Sequence, residues 1–308
     1  MGSRMTQPTD TIPGAAPEST LGKRSQKALL GLLADTPRKV FTHRDLTTLL
    51  HRGVEEKRLP QTITLSKAVP FLEAHGLTKV VLRLPSSPGG PITRYAWGPV
   101  SMYALGVSMR PGAYLSHASA VFLHGLSDQI PKTIYVNKEQ SVKPPPSGEL
   151  TQPGLDRAFA SAQRASTYVF QYEGYRFVLL NGKNTNRLEV SQLRDPQGDY
   201  VDATKLERTL IDIAVRPAYA GGVFEVLKAY RAAKDRISVN TLAATLQQLG
   251  YVYPYHQAVG FYLERAGVEP AKLQRLRDLG LRFDFYLAHK MGPTSYSAEW
   301  RIHFPEGL

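Results

Sequence analysis

Apolar residues recur along the first hundred positions at helical and then at strand spacing. Between Lys23 and Asp35, Ala28, Leu29, Leu32 and Leu33 fall on one helical face. Val40 and Phe41 form a short extended link. Thr42, followed three residues later by Asp45, marks the start of a second helix that turns Leu46, Leu49 and Leu50 inward. Arg58 to Thr62 reads as a turn carrying Pro60. A third helix is predicted from Thr62 or Thr64 to His75, burying Leu65, Ala68, Val69 and Leu72 and closed by Gly76. Pro70 inside it removes a backbone hydrogen bond and is a candidate kink. Two extended runs, Leu77–Leu84 and Ile92–Trp97, flank the segment Pro85–Pro91, the pattern of a long hairpin. Three helices followed by a hairpin is the order of a winged helix-turn-helix, predicted here for residues 22–100.

Downstream the pattern becomes mixed. In Tyr114–Val136, Ser116 is placed to cap a short helix that ends at Gly125, and a strand is expected over Lys132–Asn137. Lys143–Gly148 reads as a stiff exposed loop. Ser166–Tyr172 and Tyr175–Leu180 should pair around the turn Glu173-Gly174, and Leu188–Leu193 is a further strand ahead of the turn Asp195–Gly198. Thr204 with Glu207 has the spacing of a capping box. Leu206, Leu210, Ile213 and Ala214 then line one helix face. Val223–Ala233, Thr241–Leu249, Tyr255–Ala266 and Pro270–Leu279 read as four more helices. The last three end at Gly250, Gly267 and Gly280. Arg282–His289 and Ala298–Phe304 are expected to be a final pair of strands. The fold class is therefore α+β, with an N-terminal winged helix-turn-helix followed by a larger mixed α+β domain over residues 101–308. Residues 1–21, rich in Pro, Thr and Gly, read as a disordered tail, and Met1–Arg4 resemble a cloning remnant.

Charge sharpens this division. The chain of 308 residues carries a formal net charge of +12, and it is unevenly spread. Residues 22–110 hold 14 Lys+Arg against 5 Asp+Glu, whereas residues 111–308 hold 23 against 19. A compact basic unit beside a nearly balanced one implies a polyanion-binding module. With no cysteine, disulfides, thiolate metal sites and cysteine nucleophiles are excluded. No apolar run approaches the roughly 18 residues of a membrane span, no secretory signal stands at the N-terminus, and a cytoplasmic address is expected.

If the third helix buries its apolar stripe, its outward side and the turn before it present Gln61, Thr62, Thr64, Ser66 and Lys67, short polar groups and one cation suited to base edges and phosphates. Arg44 on the second helix is a candidate phosphate contact, and Arg83 and Arg94 on the hairpin are candidates for the flanking backbone or minor groove. Enzyme signatures are missing: no Walker loop, GxGxxG, GxSxG or HExxH occurs. No Asp or Glu after Gly112 precedes a lysine by two residues, as a restriction-type nuclease would require. His117 and His124 are two turns apart with no third ligand suggested nearby, and His124 reads as a C-terminal helix charge. Asp212 and Arg216 have the spacing of an intrahelical ion pair. The aromatics Tyr251, Tyr253, Tyr255, Phe261 and Tyr262 read as core packing ahead of the alternative, a partner or RNA surface. No catalytic residue, cofactor or metal is expected.

Two longer phrases carry a family likeness. YLSHASAVFLHGLSDQIPKTIYV, Tyr114–Val136, and LERTLIDIAVRPAYAGGVFEVLKAY, Leu206–Tyr230, resemble segments of AbiEi-type antitoxins of type IV toxin–antitoxin and abortive-infection (phage-defence) operons. The resemblance implies a bifunctional antitoxin. Its winged helix would bind double-stranded promoter DNA at inverted repeats and repress the operon. Its C-terminal domain would counteract a cognate nucleotidyltransferase toxin, without requiring a stable complex. Two other readings remain open from the residues: a ligand-responsive winged-helix regulator with no toxin, and an enzyme, kinase or nuclease, acting on the toxin or on nucleic acid.

Overall fold

A computed structural model describes residues 21–85, 89–144 and 148–308. The expectation of a disordered tail therefore lies outside the described residues, apart from Leu21. So do parts of the Pro85–Pro91 linker and of the Lys143–Gly148 loop. The fold is mixed α+β, and its contacts divide it into two units. One comprises the described part of residues 1–79 together with 95–98, the other residues 80–94 and 99–308.

The first unit runs α1 (Lys23–Ala34), β1 (Val40–Phe41), α2 (His43–Glu55) and α3 (Leu65–Glu73). It also takes the start of β2 (Leu77–Leu82) and the end of β3 (Ile92–Trp97). The three strands form one sheet in the order β1-β3-β2, with Val40 opposite Ala96 and Phe41 opposite Tyr95. α2 starts where the sequence puts it. Thr42 Oγ1 accepts from the Asp45 N–H at 3.0 Å, while the Asp45 carboxylate accepts from the Thr42 N–H at 2.8 Å. Together these bonds satisfy two donors that a bare helix end leaves open. The core joins Leu29, Leu32, Leu33, Phe41, Leu46, Leu72 and Leu77, and Leu21 and Phe71 also enter it. Leu65 and Val69, expected at the centre of the buried stripe, are only half-buried, because α3 presents Ala68, Phe71 and Leu72 inward instead.

The second unit is built on a six-stranded sheet in the order β6-β7-β5-β4-β9-β8. Its elements in chain order begin with α4 (Met102–Val107), β4 (Tyr114–Leu115), α5 (His117–Leu123), β5 (Thr133–Glu139) and α6 (Gln152–Ala160). Next come β6 (Val169–Tyr172), β7 (Tyr175–Gly182), β8 (Val190–Arg194), β9 (Tyr200–Thr204) and α7 (Leu206–Val215). β5 runs parallel to β7, and β4 parallel to β9, whereas β6–β7, β8–β9 and β4–β5 are antiparallel. α8 (Val223–Ala233), α9 (Val239–Leu249) and α10 (Tyr255–Arg265) then pack around α7 in one large apolar cluster. The segment expected as a single helix from Pro270 divides into a 3-10 turn and a short α11 (Gln274–Arg277). β10 (Phe285–Tyr286), β11 (Thr294–Ser297) and β12 (Ile302–Pro305) close the chain as a small sheet in the order β10-β12-β11. No helix among the described residues is long and apolar enough to cross a membrane.

Candidate nucleic-acid interface

Residues singled out from the sequence separate into three environments. Arg44 is exposed on the first turn of α2, one position before the capping Asp45. Arg38, Arg52 and Arg58 each lie within 4 Å of a carboxylate, as in the Arg38–Asp45 pair at 2.8 Å. Arg44 has no carboxylate partner among the described residues, so its charge is available to an outside anion. Such exposed pairs contribute little to stability, on the order of 1 kcal/mol or less.

The second group surrounds the start of α3. This helix begins at Leu65, so Gln61 and Thr62 lie in the turn before it and Thr64 is its N-cap. All five candidates here, Gln61, Thr62, Thr64, Ser66 and Lys67, are exposed. Thr64 does not cap with its side chain; its hydroxyl lies 2.9 Å from that of Ser66 instead. Lys67 Nζ donates to the Thr62 carbonyl at 3.3 Å, folding the turn back against the helix. The result is a small outward cluster of hydroxyls, an amide and an ammonium at the positive end of a helix dipole, chemistry that accepts phosphates and base edges.

The hairpin arginines diverge. Arg83 is exposed, and its backbone N–H and C=O pair with Gln171 of β6 at 3.0 and 2.8 Å. Arg94 is only 9% exposed and turned inward, contrary to its expected role as a free surface cation. Its Nε and Nη2 donate to the Ser108 carbonyl at 2.9 and 2.7 Å, Nη2 also reaches the Met109 carbonyl at 2.8 Å, and Nη1 donates to the Thr93 carbonyl. The Ser108 and Met109 carbonyls follow the last turn of α4, where an orphaned acceptor row meets a delocalised cation.

The second unit holds a different kind of chemistry. Asp212 was expected to pair with Arg216. It bonds Arg208 instead, Nε to Oδ1 at 2.8 Å, with both side chains nearly inaccessible. Arg216 stands beyond the end of α7 and donates to the Arg164 carbonyl. Burial works against the Arg208 charge, but the charge and hydrogen bond of Asp212 together with Tyr251 and Tyr114 raise the guanidinium pKa above its ordinary value. Arg208 also reaches the Leu188 carbonyl at 3.0 Å. Nearby, Glu139 accepts from the Tyr114 hydroxyl, the Thr185 hydroxyl and the backbone N–H groups of Thr185 and Arg187. Burial alone would raise its pKa, but the hydrogen bonds from Thr185, Arg187 and Tyr114 hold it below the ordinary value. It anchors a segment in which Asn186, Arg187 and Glu189 all have φ between 52° and 55°.

Three further expectations change at the side-chain level. Ser116 stands at the N-cap of α5 but does not cap it; its hydroxyl meets His117 Nδ1 at 2.8 Å, and His117 takes φ +52°. His124, expected as a charge at the helix end, bonds the Thr204 carbonyl at 2.8 Å, and burial lowers its pKa. The capping box Thr204/Glu207 does not form. Thr204 faces Thr209, and Glu207 accepts from the Ser238 N–H. Tyr255, Phe261 and Tyr262 are core residues as expected, while Tyr251 and Tyr253 are half-buried. An open cleft of about 680 Å³ lies beside α9, and it mixes Lys234, Lys272 and Arg275 with Asp235 and Glu269.

No protein-family model matches the chain, and no curated protein matches it either. Among solved structures, the chain is similar to the RV2827C protein from Mycobacterium tuberculosis, at 19% identity over 95% of each chain with a TM-score of 0.55. That likeness concerns the fold alone.

Proposed function

We propose that the protein is an antitoxin that represses its own operon. In this reading residues 22–100 are a winged helix that binds inverted repeats in promoter DNA, and residues 101–308 counteract a cognate nucleotidyltransferase toxin. The observation that carries the DNA half is the exposed cluster Gln61–Lys67 at the start of α3, and the three helices and β1-β3-β2 sheet around it support the winged-helix reading. Basic bias over residues 22–110 supports it. The toxin half rests on the phrases at Tyr114–Val136 and Leu206–Tyr230 and their likeness to AbiEi-type antitoxins.

The DNA half is tested by fluorescence anisotropy with a duplex taken from immediately upstream of the gene and a scrambled duplex of equal length. The upstream duplex should bind about a thousandfold tighter. Lys67→Ala should weaken both complexes and reduce the salt slope by about one. Gln61→Ala should instead narrow the gap between the two duplexes, by about 1–3 kcal/mol. Equal binding of both duplexes by the unaltered chain would sink the repressor reading. Co-expression with an adjacent nucleotidyltransferase gene tests the other half, since toxicity that persists beside this protein is incompatible with an antitoxin.

A further inference from the structure

A two-stranded hairpin standing alone in water exposes one whole face and is marginally stable. The β2–β3 hairpin does not stand alone. Val80, Leu82 and Ile92 are 2%, 0% and 7% exposed, yet none belongs to the core formed by α1, α2 and α3. Residues 80–94 group instead with the second unit. Each strand of the hairpin is fastened there. On the β2 side, Arg83 exchanges two backbone hydrogen bonds with Gln171, lengthening the edge of the six-stranded sheet beyond β6. On the β3 side, Arg94 closes the C-terminal end of α4 with three bonds to the Ser108 and Met109 carbonyls.

α4 is itself tied onward. Ser101 accepts from the Ala104 N–H at its N-cap and donates to the Asp195 carboxylate, which in turn accepts from Gln197 N–H and Asp199 N–H in the β8–β9 turn. A continuous run of hydrogen bonds therefore leads from the hairpin through α4 to the far side of the large sheet. Arg83 keeps its side chain exposed while its backbone is held.

We propose that Arg94 is a positioning residue for DNA binding: by capping α4 it holds the hairpin in the conformation in which Arg83 meets the DNA backbone. This rests on the repressor reading above and adds its regulation. The unit assigned to toxin neutralisation holds the DNA-contacting hairpin through α4 and β6. Any partner that disturbs α4, the β8–β9 turn or the β6 edge would then lower operator affinity.

The test uses the full chain carrying Arg94→Met, Arg94→Lys or Arg83→Ala, and the double variant Arg83→Ala/Arg94→Met. Two measurements are made: hydrogen exchange of residues 80–94, and affinity for the upstream duplex. Arg94→Met should raise exchange in the hairpin about tenfold and weaken the duplex about fivefold. Arg94→Lys, which restores a cationic donor, should recover part of both. Arg83→Ala should cost about threefold in the unaltered background and nothing further in Arg94→Met, a coupling that general destabilisation does not produce. Where the unaltered chain binds the upstream duplex, unchanged exchange or additive losses in the variants would overturn the positioning role alone. If the unaltered chain binds no upstream DNA, the repressor reading falls and Arg94's role in it falls too.

Discussion

At the scale of single residues, partner choice is where sequence spacing fails first. Asp212 has an arginine four positions away on each side, and the pattern alone does not decide between them. Pro217 does. It disfavours helical geometry for the residue before it, and Arg216 has φ −136° and ψ 72°, outside the helix, which leaves Arg208 as the partner. The Glu139 cluster was less legible, because Glu139 and Thr185 are 46 positions apart and only the parallel β5–β7 pairing brings them together. His117 yields a prediction. Burial is the main cause that pushes its imidazole down to about 4 from an ordinary 6.5, and Arg216 and Arg208 add to the shift while Asp212 opposes it. The unfolded chain therefore takes up a proton near pH 6.5 that the folded chain refuses until about pH 4. Stability from this group is complete above pH 6.5 and declines as the pH falls towards 4, by on the order of 3 kcal/mol in total. Asparagine tolerates the left-handed backbone at this position and does not titrate. In His117→Asn, the fall in Tm between pH 6.5 and 5, above the range where carboxylates titrate, should be visibly shallower. His124, His256 and His289, lowered in the same direction, supply what slope remains. Identical slopes in variant and parent would remove His117 as the cause.

Elements long enough to show a period were readable, and short ones were not. Val223–Ala233 matches α8 at both ends, and the Thr42/Asp45 box marks the start of α2. α4 is one and a half turns long, too short for a face to emerge from its six residues, and β9 has five. α6 did carry a signal: the Thr151 side chain accepts from the Gly154 N–H, and Pro153 sits in the first turn where its missing donor costs nothing. The run Ala298–Phe304, expected as one strand, is divided because residues 298–301 turn, with Arg301 at φ +47°. That turn places Trp300 against α10. Glycine in a helix interior ordinarily weakens it by about 0.5–1 kcal/mol relative to alanine, so Gly260→Ala would stabilise an exposed helix. Here a Cβ would stand 2.1 Å from the Trp300 ring, which is fully buried. Overpacking dominates, and Gly260→Ala should destabilise the second unit by about 1–3 kcal/mol in a denaturant melt followed by tryptophan fluorescence. A stabilised variant would mean that Trp300 does not pack on this face.

At the scale of the whole chain, periodicity suggested one boundary near residue 100, where the predicted hairpin ends. The contacts suggest a different partition, since the distal hairpin is grouped with residues that follow it. Sequence could not show this: Arg94 reads as one more cation in a basic stretch, and the carbonyls it satisfies lie 14 and 15 positions on, just past a helix that has no detectable period. A fragment covering residues 22–100 sharpens the point. It retains every residue of the first core except Leu21, including Leu29, Phe41, Leu46, Leu72 and Tyr95, and so should keep its helical circular dichroism. It also retains Arg44, Gln61, Thr62, Thr64, Ser66, Lys67 and Arg83. It loses Gln171, Ser108 and Met109, so the hairpin gives up both fastenings and exposes Val80, Leu82 and Ile92. If contact residues alone set affinity, fragment and full chain should bind the upstream duplex equally at matched salt. If the hairpin must be held, the fragment should bind about tenfold more weakly while keeping its preference for the upstream over the scrambled duplex, because the α3 cluster is intact. Helical content measured alongside separates a disordered hairpin from an unfolded fragment. Equal affinity with a well-folded fragment would show that the hairpin needs nothing from the second unit.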